Sequence, residues 1–274
     1  MQSRTATWRP TATGRRLLAD GLAVAAVVFV GYYDVLVLAT SVGLDAHAYW
    51  AAWNHPLYTI PPGHVDAFLY SPVIAELLWP LTRLPAEVFI GLWAAAMLAV
   101  FAWLLRPLAP RWFLVALLLC LPEALEGNIN ALLALMVVVG FEHTSAWSFA
   151  LLTKVSTGIG LIWFPVHDGW RRLVAPLLVT ATLAGVSYLW WPDPWHAWVA
   201  LLTAGASGGG DWFFPARLVL ALVVIVWGAR TDRRWTVPAA LVLASPILFL
   251  NSLTILAALP RLRPAAATHG TLAR

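Results

Sequence analysis

The chain has 274 residues, 61% of them hydrophobic and only 11% charged, with a net charge of +4, and its mean hydropathy is +0.78. Soluble domains carry roughly a quarter charged residues, so the composition excludes an ordinary water-soluble fold and makes a bilayer the natural solvent. In lipid the backbone must satisfy its own hydrogen bonds, which leaves helices or closed barrels; the apolar runs are long and lack period-2 alternation, so the expected fold is all-α, a polytopic transmembrane helix bundle.

In chain order, residues 1–16 form a basic tail with Arg4, Arg9, Arg15 and Arg16. The tail runs straight into a first apolar stretch, Leu17–Thr40, without a small-residue cleavage site, so a retained anchor is expected. Further candidate spans are Ser71–Leu81, Val88–Leu105, Trp112–Leu121, Ile129–Phe141, Ala146–Val166, Leu173–Trp190, Phe213–Trp227, Trp235–Ser245 and Ile247–Leu259. A regular span takes about 20 apolar residues, so several of these are short, and about 9–10 crossings are expected. They form one integral membrane domain over 1–274, with a C-terminal tail over 264–274. Neither an internal repeat nor a soluble-domain boundary is visible. Cys120, the lone cysteine, lies in an apolar run and excludes an intramolecular disulfide.

Arginine sets the expected orientation. The N-terminal cluster, Arg83, Arg171–Arg172, the run from Arg230 to Arg234, and Arg261 with Arg263 are assigned to the cytoplasm. Alternating crossings then leave two long external loops, Ser41–Tyr70, which has no Lys or Arg, and Trp191–Trp212. Arg106 and Arg111 fall outside on this count, against the rule. Within the loops, residues 44–54 read as a short helix opened by Asp45, and 193–205 as another opened by Asp193 and Pro194. Both are aromatic on one side, as helices in the membrane interface are. A Gly-rich hinge follows the second, over 206–210. The basic charge flanks apolar segments, so no nucleic-acid partner is expected; membrane lipids are.

Three residues carry candidate chemistry. Asp45, with His47 and Tyr49 beside it, is placed to act as a general base toward a hydroxyl; the plainer reading is a helix-capping aspartate. Lys154, the only lysine, lies in an apolar segment about seventeen residues before Arg171, which puts it in the outer half of a membrane at ~1.5 Å rise per residue. A cation there calls for a polar cavity or an anion such as a lipid phosphate, or it snorkels to the headgroups. Arg217 can bind phosphate in a bidentate way, or pair with Asp211, or anchor at the interface. Asp34 is expected to face the bundle interior, while Glu123 and Glu126 bracket a short connection without an evident role. The histidines lack metal-ligand spacing and no Gly-rich nucleotide cradle is present, so neither a metal nor another cofactor is expected.

Several segments together resemble a known family. Residues 43–93 contain Asp45, Tyr49, Ala51-Ala52, Leu57-Tyr58, Phe68, Tyr70, Pro72, Pro80-Leu81, Leu84-Pro85 and Leu92-Trp93. Pro122, Gly127-Asn128-Ile129-Asn130, Lys154, Arg217 and Ser245-Pro246 follow in order. The pattern resembles family 87 of the glycosyltransferases, enzymes of the polyprenyl-phosphate-mannose type with the C-type membrane fold. The resemblance implies a hexose, mannose above all, moved from a polyprenyl-phosphate-linked sugar to a glycolipid or glycan acceptor at the outer face of the cell membrane. It implies Asp45 as the base, Lys154 and Arg217 as donor-phosphate contacts, and His47, Tyr49, Tyr58, Tyr70, Asn128 and Asn251 lining the sugar and acceptor. The chain departs from the family after Ser245-Pro246, where Asn251 and Ser252 stand near the places of a His pair, and before Arg217, where Gly210-Asp211-Trp212 replaces a polar stretch. It is also shorter. Two other functions stay open: a catalytically degenerate member serving as a membrane scaffold, and a lipid or solute transporter.

Overall fold

The structure is a computed structural model that describes residues 12–207 and 212–262. The described residues form helices joined by turns and one longer irregular segment, 52–71, with no strand among them. The α-helices are α1 (Ala12–Thr40), α2 (Leu44–Ala51), α3 (Pro72–Leu78), α4 (Ala86–Leu105), α5 (Pro110–Glu126), α6 (Asn130–Gly140), α7 (Ser148–Leu152), α8 (Trp163–His167), α9 (Val174–Trp190), α10 (Pro192–Ser207), α11 (Phe214–Arg230) and α12 (Thr236–Leu243). Stretches of 3-10 helix connect or continue them, the longest being Val155–Ile162 and Leu250–Arg261.

Three helical segments are long and apolar enough to cross a membrane: Arg16–Val37, Ala86–Leu105 and Trp170–Trp190. A fourth is reached if α5 and α6, bent by 118° at the break between them, count as one broken span. The remaining expected spans are shorter than a regular crossing. Ala146–Val166 is not one rod: it divides into α7, a turn at Lys154, the 3-10 helix and α8. The loop helices expected over 44–54 and 193–205 are present as α2 and α10.

Local chemistry explains the ends. Pro72 and Pro110 open α3 and α5 at the first turn, where a missing N–H costs nothing. Gly127 ends α5 in the left-handed conformation, φ 86°. Its place needs glycine twice over, because a Cβ there would also lie 2.5 Å from the Ala46 Cβ. Gly43, φ 71°, turns the chain from α1 into α2 with its N–H on the Leu125 carbonyl at 2.7 Å. That bond binds the start of α2 to the end of α5.

Contacts between chain ends define two ends of the bundle. At one lie α2, the segment 52–85, the α5–α6 break, Lys154 and α10. Trp50 Nε1 donates to the Leu84 carbonyl at 2.8 Å, Trp93 Nε1 to the Gly127 carbonyl at 2.7 Å, and the Ser71 N–H to the Leu152 carbonyl at 3.0 Å. At the other end Arg111 pairs with Asp20 at 3.2 Å and Arg261 donates to the Trp103 carbonyl at 2.9 Å. These contacts correct the expected path. Ser71–Leu81 does not cross; Trp53 Nε1 on the Ala75 carbonyl at 2.9 Å and Ser187 Oγ on Glu76 at 2.7 Å keep it at the first end. Helix α4 therefore starts there, and α4, α5 and α6 run opposite to the sequence-based count. Arg83 stays at the Asp45 end, while Arg106 and Arg111 join the arginine-rich end. The physical reason is length: α3 has 7 residues, about 10 Å of rise, a third of a bilayer core. Residues 1–11, 208–211 and 263–274 lie outside the described residues, and with them most of both tails, Arg4, Arg9, Arg263, most of the Gly-rich hinge and the expected Asp211 partner of Arg217. The Asp34 side chain, expected to face the interior, is likewise outside what is described.

Candidate functional site

The α5–α6 break opens a gap in the backbone ladder, and polar side chains from four parts of the chain fill it. Asn128 Oδ1 accepts the Ile129 N–H at 2.7 Å, and the Asn130 N–H donates to Glu123 Oε1 at 3.2 Å. Asn130 Nδ2 donates to the Asn251 carbonyl at 3.2 Å, and Asn251 Nδ2 donates to Glu126 Oε2. Helical breaks at membrane depth persist where protein groups re-satisfy the freed backbone, and this cluster does so.

Lys154 enters from the turn after α7. Its Nζ donates to Asn128 Oδ1 at 3.1 Å and to Asn130 Oδ1 at 3.0 Å. Both acceptors are neutral amides. The ammonium is held in place without a direct ion pair among the described residues, and a third N–H is left over. Lys154 does couple electrostatically to Glu123 and to Asp45. Glu123 is fully buried, with Oε2 lacking a hydrogen-bond partner among the described residues.

Asp45 sits in the first turn of α2, whose N-cap is Gly43. It is therefore not the capping residue that the plainer reading made it. Among the described residues its carboxylate forms neither hydrogen bond nor ion pair. Burial pushes its pKa above the ordinary carboxylate value, and the Lys154 charge partly offsets that rise. Behind it lie Tyr49 and Tyr70, whose hydroxyls are 3.0 Å apart. Burial raises both phenols, so they act as neutral hydrogen-bonding groups. Tyr58, at φ 66°, donates to the Tyr70 carbonyl at 2.6 Å and fixes the loop before α3.

The structure thus brings together Asp45, Tyr49, Tyr70, Asn128, Lys154 and Asn251, with Tyr58 attached through the Tyr70 backbone. Two expected residues are placed elsewhere. His47 turns to Asp66, with Nδ1 2.5 Å from Oδ1. Arg217 caps the end of α12, its guanidinium donating to the carbonyls of Leu243 at 3.0 Å, Ser245 at 2.7 Å and Pro246 at 3.1 Å. Sequence reasoning left Glu123 and Glu126 without a role and Asn130 out of the site, yet these three wire the break together. The available signal was two acids and two asparagines packed around Gly127 in a strongly apolar chain. Among the described residues no group of three or more His, Cys, Asp or Glu side chains is arranged to hold a metal ion.

No family model matches this chain, and neither a characterised protein nor a solved structure matches it.

Proposed function

We propose that this protein is a multi-pass membrane glycosyltransferase that moves a hexose, in the first instance mannose, from a polyprenyl-phosphate donor to the hydroxyl of a glycolipid or glycan acceptor. The observation that carries the reading is the Asp45–Lys154 pair: a carboxylate without a hydrogen bond or ion pair among the described residues, electrostatically coupled to an ammonium that neutral amides hold without neutralising. The spare N–H of Lys154 suits a lipid-borne phosphate, and Asp45 suits the base.

In the reaction, Asp45 takes the proton of the acceptor hydroxyl as its oxygen attacks the anomeric carbon from the face opposite the phosphate. The bond from that carbon to the phosphate oxygen breaks, its electron pair leaving with the polyprenyl phosphate, and configuration inverts. Lys154 stabilises the departing phosphate, which needs charge and not an acid. The arginine distribution supports the sidedness. Arg16, Arg106, Arg111, Arg171, Arg172, Arg230, Arg233, Arg234 and Arg261 gather at the far end, which under the positive-inside rule supports an external Asp45 end.

One observation favours the scaffold reading instead: Arg217, a donor-phosphate contact by resemblance, spends its guanidinium on backbone carbonyls. The test is an assay of membranes with labelled polyprenyl-phosphate mannose. Transfer by wild type and none by Asp45→Asn at equal expression supports the enzyme; equal signals from both remove Asp45 from catalysis.

A further inference from the structure

A crevice of about 730 Å³ opens between α1 and α5 toward the arginine-rich end. Its walls are apolar: Ala19, Ala23 and Ala26 on one face of α1, Leu108 in the α4–α5 turn, and Trp112 and Ala116 on α5. Alanines at this spacing leave room where longer side chains would close the helix pair.

The rim is basic. Arg16 stands three residues before Ala19 on the same face of α1. Arg106 and Arg111 flank the turn that lines the crevice. Arg111 bridges to Asp20 at 3.2 Å with its guanidinium 5.2 Å from the Trp112 ring centroid. Arg261 lies close enough to Arg106 for the two to repel, its own guanidinium pinned 3.6 Å over the Trp103 ring. Four arginines thus meet one described acid, Asp20.

We infer that this crevice is a binding site for an acidic phospholipid, one acyl chain lying along the α1 alanines and the phosphate held between Arg106 and Arg111. An apolar slot of this size facing hydrocarbon takes a chain, and the charge at its mouth selects the headgroup. The inference rests on the membrane-embedded reading of the bundle and not on glycosyl transfer, so an inactive protein still tests it.

The experiment is native mass spectrometry of purified, delipidated protein reloaded with phosphatidylglycerol or phosphatidylcholine of equal chain length, with polyprenyl phosphate as a competitor. Phosphatidylglycerol is expected to be retained on the order of tenfold better than phosphatidylcholine. Arg106→Gln should reduce that preference and Arg106→Lys should keep it. Ala23→Leu, which fills the slot and leaves the arginines, should reduce retention of both phospholipids. Equal retention of the two by wild type, or phosphatidylglycerol retention unchanged in both Arg106→Gln and Ala23→Leu, overturns the site. So does displacement of phosphatidylglycerol by equimolar polyprenyl phosphate, or a wild-type dimer that Ala23→Leu dissociates, since a second copy would then occupy the slot.

Discussion

At the scale of single residues, what matters is which charges are paired. Asp45 lies in a partly buried place without a bonded partner among the described residues, and burial raises its pKa above the usual carboxylate value. A base must be ionised, so transfer should rise with pH through that raised value; a flat pH profile across it would contradict the role. Stability runs the other way. A carboxyl whose folded pKa exceeds its unfolded one stabilises the fold below the unfolded value and loses that contribution as pH rises through the folded one. Asp45→Asn should therefore match or exceed wild type in thermal stability at neutral pH, with the gap closing toward pH 4. Lys154 gives the complementary test. Asn128→Asp is nearly isosteric, keeps the oxygen that accepts from Ile129 and Lys154, and sets a carboxylate on the ammonium in place of an amide oxygen. It should weaken donor binding by about tenfold or more while the protein still folds, because the cation is then neutralised by the protein itself.

At the scale of elements, the break between α5 and α6 organises the site, and Gly127 makes the break. It combines φ 86° with a contact that leaves no room for a Cβ against Ala46. Gly127→Ala should cost about 1–3 kcal/mol in thermal unfolding, and it should lower transfer further by pushing α2, and Asp45 with it, off the break; full activity with full stability would contradict this. How much of the site was legible depended on how local its cause is. Asp45 and Lys154 stood out as charges in apolar surroundings, and α2 and α10 followed from helix-start residues. Glu123, Glu126 and Asn130 did not stand out, because their roles come from the 118° bend, which returns the chain on itself and turns sequence neighbours into partners of Asn251. The carbonyl partners of Arg217 were hidden for a related reason: nothing local reveals that the end of α12 offers three carbonyls within its reach.

At the scale of the whole molecule, an all-helical fold followed from composition, but direction did not. A short apolar segment, Ser71–Leu81, counted as a crossing reverses every helix after it until another miscount restores the order. Here the split at Lys154 restores it, so the helices after Lys154 run as counted while α4, α5 and α6 do not. Single cysteines in a Cys120→Ser background decide the matter with a membrane-impermeant maleimide. Leu81→Cys should label from outside the cell and Ala109→Cys only from the cytoplasmic side; the reverse would restore the simple count. The central claim is that Asp45 does chemistry on a donor that Lys154 binds, and the most direct measurement separates the two steps in one purified preparation. Donor affinity and single-turnover sugar transfer are measured for wild type, Asp45→Asn and Lys154→Ala. The expected result is unchanged donor affinity with transfer slowed by about 10²–10⁴ in Asp45→Asn, and weakened donor affinity in Lys154→Ala. Transfer by Asp45→Asn at the wild-type rate, or a wild-type protein that binds no polyprenyl-phosphate sugar, would contradict it.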